Sequence, residues 1–562
     1  MLESSTKFTI KKSNTAEAIE WLNDLIDSFV SADQKDLKFV GIPLRALLIT
    51  IVNKKEKDIK LYKLATAAVV NHNLFPKACK ISGRFGKTSE FVRDIIKLLV
   101  QLLPDDFIAK IFKGNSTRLI KSISEYKSKD ANADATGLRL KNLRDIETLI
   151  SVVEAQKELH STQIYSLCLE FVRGLLESTC PKILKRAFSM MEAGLGQLHY
   201  TYCLDLFQIM KNFYNTKMTV AAKAAMVGAA GTAGERLSKN TIAKLQPIIL
   251  SFLTRFFDCY FTRRIDANPT RKLKQETLES IISELNEMFE DFFPLSVILI
   301  KQRSHKTRKI AKDFLNRLDE VYEKALGDPT SFLNIVLAGL AGKTSTMKAS
   351  TILSVAIIWT KRLDSLDRNY VGELLEVILL LVKEKNKETY NAIISFLKAF
   401  IKSAAKDLVS EKLGMIMQAI FVWDKTSQML CKGRVKNLLI KLLKRFDMTQ
   451  IETLVPEEHA NLLKGIVKMK RREAAKKKDS RTFGDGAPEE SWLDDNLKTE
   501  DFQVVKRQSR RKKNEDIEDD MEDIEMANPY AANGRNLEEK PEVKNLLLKF
   551  DQNVIFFPFQ TF

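Results

Sequence analysis

The sequence predicts an all-α chain, a solenoid of stacked helix pairs followed by a charged tail. Three observations predict it. Nearly every segment before residue 475 carries apolar residues at helical spacing. Period-two alternation bounded by Asn-Gly or Asp-Gly, the signal of strands and hairpins, is almost absent. In the second half the helices recur in pairs with a period of about 40 residues, the length of a two-helix HEAT or armadillo repeat.

In chain order, "AEAIEWLNDLIDSFV" places Ile19, Leu22, Leu25, Ile26 and Phe29 on one stripe. "EFVRDIIKLLVQLL", "IYSLCLEFVRGLLE", "CLDLFQIMKNFY" and "ETLESIISELNEMFEDFF" repeat the pattern, and "SKDANADATG" (128–137) reads as a loop between helices. The periodic part pairs 329–340 with 346–362, 368–383 with 386–405, and 408–422 with 427–447. Second helices carry an apolar dyad: Phe314-Leu315, Ile352-Leu353, Phe396-Leu397, Leu442-Leu443. Such a pair cannot bury its apolar face alone, so stacking on neighbours must supply the core. The expected organisation is irregular helical repeats over 1–127, HEAT-like repeats over 138–467 that become regular from about 290, a basic helix extension over 468–478, and a charged tail over 479–562. The tail alternates blocks of like charge, "KRQSRRKK" then "EDIEDDMEDIE", which repel and bury nothing, so disorder in isolation is expected there.

Composition narrows the function. Formal net charge is +18, with 90 basic against 72 acidic residues, which favours an anionic partner such as nucleic acid. Six scattered cysteines form no C-x-x-C pair and five dispersed histidines have no ligand spacing, so neither a disulfide scaffold nor a metal site is expected. "MLESSTKFTIKK" lacks the apolar core of a secretory signal. The most apolar run, "LLEVILLLV" at 374–382, is about half the length needed to cross a bilayer. These features predict a soluble intracellular protein.

One motif suggests an enzyme. "GLAGKTSTMKASTI" (339–352), echoed by "GRFGKTSEF" (83–91), resembles a phosphate-binding loop. That loop needs four residues between its glycines, so that successive amides wrap the phosphates, and a strand before it. Here Gly339 and Gly342, like Gly83 and Gly86, are separated by two, and "PTSFLNIVLAGLAGK" reads as a helix. The expectation is that Gly339 and Gly342 end one repeat helix and that Thr344 or Ser345 caps the next, leaving Lys343 at solvent or a helix C-terminus. A GxxG clamp on a nucleic-acid backbone is the rival at Gly83, but flanking strands are not evident. Asp424 in "AIFVWD" would be the acidic partner of a nucleotide site, a string any helix produces. Histidines lack placed carboxylate or cysteine partners and carboxylates are spread over helix surfaces, so no enzyme and no cofactor is expected.

The functional candidates are cationic. On "CKGRVKNLLIKLLKRF", Lys436, Lys441, Lys444 and Arg445 flank Leu438, Leu439, Leu442 and Leu443, either as a solvated face or as a phosphate-contacting face of the last repeat. Pro456 with Glu457 and Glu458 marks a helix start, and Leu462, Leu463 and Ile466 would dock that helix. Beyond it Lys468, Lys470, Arg471, Arg472, Lys476, Lys477 and Lys478 continue without an apolar stripe, and Lys506, Arg507, Arg510, Arg511, Lys512 and Lys513 come next. The two clusters fit RNA contact or a split nuclear localisation signal. Aromatic interleaving is lacking, so base stacking on the tail is not expected. The acidic block at 515–525 would shield these cations until a particle displaces it, in which case deleting it raises RNA affinity.

"LAGLAGKTSTMKASTILSVAIIWTKR", "EVILLLVKEKNKETYNAIISFLKAFI" and "RVKNLLIKLLKRFD", then "IETLVPEEHANLLKGIVKMKRREAAKKK", resemble the C-terminal part of the ribosomal RNA-processing protein 12 family from about Gln302 to Lys478, with fainter echoes in "SWLDD" and "NPY". The resemblance implies a HEAT/armadillo-type nucleolar protein without catalytic activity, a scaffold for pre-rRNA processing and for assembly and export of pre-ribosomal subunits. It implies contact with pre-ribosomal RNA, assembly factors, the Ran GTPase and nucleoporins. The alternative is a karyopherin-like transport receptor or adaptor that carries a protein cargo or Ran. Family members are longer than this chain, and their tails end strongly basic where this one ends "NVIFFPFQTF".

Overall fold

The computed structural model describes residues 15–84, 89–125, 134–219, 237–266, 275–302, 304–342, 344–363, 365–384, 386–421 and 432–468. Among them every regular element is helical. The helices belong to two compact units, one ending at Leu299 and one beginning at Ile300.

The first unit contains α1 (Thr15–Ser31), α2 (Leu37–Asn53), α3 (Ile59–Asn71), α4 (Leu74–Arg84), α5 (Ser89–Leu102), α6 (Asp105–Glu125), α7 (Asp134–Ala155), α8 (Ile164–Leu176), α9 (Pro181–Gln197), α10 (Tyr200–Phe213), α11 (Lys239–Phe257) and α12 (Gln275–Ile300). Alternate helices stack. α5 packs on α7, α7 on α9 and α9 on α11, while α6 packs on α8 and α8 on α10 as the other layer. This two-layer order is what a repeat array needs, because each helix pair finishes burying its apolar stripe only against the next pair. α7 begins within the stretch expected to be a loop, at Asp134, and carries the first-layer stack through Leu143, Ile146 and Leu149. Aromatic side chains fill the end of the unit: Phe207 of α10 stacks on Phe256 of α11 at 4.7 Å and meets Phe292 of α12 edge-on at 6.1 Å.

The second unit contains α13 (His305–Leu326), α14 (Ser331–Leu337), α15 (Ser345–Arg362), α16 (Arg368–Leu380), α17 (Lys387–Ser403), α18 (Lys406–Glu411), α19 (Leu413–Phe421), α20 (Lys432–Arg445) and α21 (Met448–Glu452). Here α13, α15, α17 and α20 stack in succession, with α14, α16 and α18–α19 as their partners. The fold is an all-α solenoid of the HEAT/armadillo type. Phe314, Ile352, Phe396 and Leu442, the first residues of the four dyads, are all buried; Leu353 and Leu443, second in theirs, are half-buried. α14 and α16 each tighten into a 3₁₀ turn, Ala338–Ala341 and Leu381–Glu384, before the chain reverses.

The sequence supplies the punctuation. Ser304, Thr344 and Asn386 cap α13, α15 and α17, each side chain accepting from a backbone N–H in the first turn. Gly327 ends α13 in the left-handed conformation at φ 69°, its N–H bonded to the Glu323 carbonyl at 2.7 Å. The glycine word is therefore a turn: Gly339 lies in the 3₁₀ end of α14, and Thr344 caps α15 through Met347 N–H at 3.2 Å. A Cβ on Gly339 would sit 2.6 Å from the Thr351 hydroxyl, so this glycine serves close packing of α14 on α15. Helices α4 and α5 flank the second word, with Gly83 in the last turn of α4. Lys343, Gly86, Lys87 and Asp424 lie outside the described residues.

Thr344→Ala is expected to lower stability by about 1 kcal/mol, read as a lower urea midpoint at unchanged slope. A shift of less than a third of that would show the cap to be idle. Asn386, which accepts from both Glu388 and Thr389 N–H, gives the parallel case.

Burial pushes the Cys79 and Cys168 thiols up to about 12, so both are protonated core side chains at neutral pH. Cys431 lies outside the described residues. No helix among the described residues is long and apolar enough to cross a membrane.

Candidate nucleic-acid interface

Within the second unit, cations do two different jobs. From Lys301 to Lys412 several join a ladder that ties one helix pair to the next, while Lys306, Lys309, Lys387 and Lys402 are exposed and have no ion-pair partner among the described residues. Lys348 meets Glu384 at 2.7 Å, Lys361 meets Glu320 at 2.7 Å, Arg368 meets Asp407 at 2.9 Å and Lys412 meets Glu376 at 3.5 Å. Tyr370 donates to the Asn334 side chain at 2.6 Å in the same layer. The contacts just named join residues between 36 and 41 apart, which is the repeat period seen from inside the structure. Burial works against the Glu388 carboxylate, but Lys301 at 2.9 Å and the Thr346 hydroxyl outweigh it and hold the group below its ordinary range.

The ladder's centre is dry. Asp319 is 1% exposed and accepts from Arg362 Nε at 2.7 Å, while Arg362 also reaches the Asp319 carbonyl and Glu323. Burial pushes the Asp319 carboxyl up against the pull of Arg362 and Lys361.

α20 differs. Lys432–Arg445 holds six cations and no carboxylate. Val435, Leu438, Leu439 and Leu442 are buried and fix one face on α17, which directs the remaining positions outward. Lys444 is exposed and Lys436 half-buried, and among the described residues neither has an ion-pair partner. Lys441 is half-buried and engaged in a contact of its own. Arg445 is placed elsewhere: its guanidinium donates to the carbonyls of Ile401 and, at 2.8 Å, Ala404, at the C-terminus of α17. It complements that helix dipole and satisfies carbonyls without an intrahelical partner. The expected face thus brings Lys436 and Lys444 to the surface and assigns Arg445 to the stack.

The signal for that role was in the sequence. "KRLD" at 361–364 and "KRFD" at 444–447 close two second helices two repeats apart, and both arginines reach back to the preceding second helix.

After α21, Pro456 precedes a 3₁₀ turn, Glu457–His459, that runs into a helix at 460–468. Leu463 and Ile466 are buried and Leu462 half-buried, and His459 stacks on Phe421 of α19 at 4.8 Å. This docks the segment and leaves Lys468 exposed at its end. Lys470, Arg471, Arg472, Lys476, Lys477, Lys478, Lys506, Arg507, Arg510, Arg511, Lys512 and Lys513 lie outside the described residues.

The chain is similar to the ribosomal RNA-processing protein 12 family. It is 24% identical over 205 residues to ribosomal RNA-processing protein 12 of Saccharomyces cerevisiae, covering 33% of this chain and 17% of that protein. It is 25% identical over 267 residues to the RRP12-like protein of Drosophila melanogaster, covering 47% and 19%. The matched part is therefore less than a fifth of either relative. No family model matches. Among solved structures the chain is similar to Kap121p bound to Nup53p, at 13% identity and a TM-score of 0.32 over 83% of this chain and 53% of that one.

Proposed function

We propose that this chain is a non-catalytic scaffold in ribosome biogenesis, acting in the nucleolus, that holds pre-ribosomal RNA and assembly factors during rRNA processing, assembly and export. The observation that carries the reading is the charge of α20, six cations and no carboxylate on one helix. Lys348, Lys361 and Lys412 of the earlier repeats each meet a carboxylate of a neighbouring helix pair, whereas α20 carries no carboxylate and presents Lys436 and Lys444 without ion-pair partners among the described residues, and the chain then reaches the exposed Lys468. Unpaired cations on a rigid helix attract phosphates and position them without reading bases. Similarity to ribosomal RNA-processing proteins supplies the RNA class. The basic residues from Lys470 to Lys478 would extend the same surface.

The test is sedimentation of the tagged chain from nuclear extract, with and without RNase, beside a version ending at Lys468. That truncation keeps the buried Leu463 and Ile466 and removes only residues 469–562. The full chain is expected to comigrate with pre-ribosomal particles and to leave them on RNase treatment or truncation. Recovery in light fractions under every condition, with RNA-independent binding to GTP-loaded Ran, would replace the scaffold by a transport adaptor.

A further inference from the structure

We infer that the outward face of α2 docks an acidic amphipathic helix of another protein. α2 is apolar on two opposite sides. Leu37, Leu44, Leu47, Leu48 and Ile51 face the core, while Phe39, Ile42 and Ile49 point away from it and are 77%, 60% and 38% exposed. The inner side is already filled: Gly41 lets α5 approach so closely that a Cβ there would lie 2.3 Å from the Phe91 ring, and Arg45 pairs with Asp94 at 3.4 Å. A helix apolar all round is a buried helix, and this one is covered on one side.

Single exposed apolar residues need no explanation. Here six of the twelve large exposed ones among the described residues fall between Trp21 and Leu64. α2 presents Phe39, Ile42 and Ile49 at spacings of three and seven residues, a stripe about 15 Å long. That matches about three turns of a partner helix with its own apolar stripe.

Charge selects the partner. Between Asp33 and Lys63 the chain carries eight cations against four carboxylates, and Lys38, Lys55, Lys57, Lys60 and Lys63 are exposed. A second copy would set this excess against itself. Residues 1–14, with Lys7, Lys11 and Lys12 against Glu3, carry the same sign. A helix flanked by Glu and Asp meets both the stripe and the rim.

The probe is a synthetic 15-residue amphipathic peptide, about four helical turns, with leucines on one face and glutamates on the other, labelled for fluorescence anisotropy against the full chain. A matched peptide with lysine for glutamate and vesicles of phosphatidylcholine with phosphatidylserine are the other arms. The acidic peptide is expected to bind, and Phe39→Ser with Ile42→Ser to weaken it about tenfold or more without lowering the unfolding midpoint, since both side chains are exposed. Equal binding of the lysine peptide, or indifference to the double substitution, overturns the inference. Binding confined to anionic vesicles would assign the face to lipid, and a dimer abolished by Phe39→Ser would assign it to a second copy; either overturns it. RNA-dependent sedimentation of the double variant should be unchanged, which separates this outcome from the scaffold reading.

Discussion

Arg362→Met is expected to lower the stability of the second unit by about 3 kcal/mol at pH 7, the lower end for breaking a buried ion pair. The cost comes from the carboxylate left behind. Asp319 is 1% exposed, and its nearest other cation, Lys361, stands 3.7 Å away on a half-exposed side chain. Lys361 compensates in part, which is why the lower end is chosen. A buried reporter stands close by: Trp359 lies three residues upstream on α15 and packs on Phe400 at 5.3 Å and Phe396 at 5.9 Å of α17, so with the other three tryptophans replaced by Phe its emission reports unfolding of the second unit in urea.

The pH dependence distinguishes a stranded charge from lost packing. Without Arg362 the Asp319 carboxyl is raised further above its unfolded value, about 3.9. A carboxyl raised in the folded state has no ionisation penalty below the unfolded pKa and accrues one as pH rises toward the folded pKa. The deficit of Arg362→Met should therefore be largest near pH 7 and shrink toward about pH 4. Adding Asp319→Leu should recover most of it, because an apolar pair of similar volume tolerates the dry site. A deficit that stays constant with pH and survives the second substitution would mean that packing of the arginine stem, and not its charge, holds α15 on α13.

This junction also shows what a sequence can and cannot display. Helix spacing, the 40-residue period, the cap at Thr344 and the second helices were legible because each depends on residues close together in the chain. Asp319 and Arg362 are 43 positions apart, and nothing local marks either as buried; Arg362 stands in "WTKRLD", which reads as the solvated end of a helix. Only comparison of "KRLD" with "KRFD" hints that the arginine is part of the repeat. The same gap affects the candidate interface. Its lysines were legible as a basic helix, but the division between Lys444, exposed, and Arg445, spent on the carbonyls of Ile401 and Ala404, depends on where α17 ends beside it. The outward apolar face of α2 hides for the opposite reason. Phe39, Ile42 and Ile49 interleave with core leucines, and a stripe on both sides of a helix looks like a strong core signal until the neighbours are in place.

Lys436→Glu with Lys444→Glu is expected to weaken binding of single-stranded RNA by roughly tenfold or more at about 0.1 M salt and to flatten its salt dependence. Each phosphate contact on a single strand adds about 0.7 to the slope of log affinity against log salt, so losing two should lower the slope by about 1.4. Lys348→Ala is the matched comparison. Its ammonium is already held by Glu384 at 2.7 Å, so its removal leaves the slope unchanged and acts, if at all, on stability. Since the described part of α20 offers cations without an exposed aromatic, the loss should be the same for polyuridylate and polyadenylate. Equal effects of the paired and unpaired lysines would show that RNA senses only net charge, with no face on α20. A loss confined to one homopolymer would require a base-reading surface elsewhere. The predicted pattern, equal across sequences and absent for a lysine already held by a carboxylate, rests on one property of α20: six cations and no carboxylate on the helix, with no ion-pair partner for Lys436 or Lys444 among the described residues.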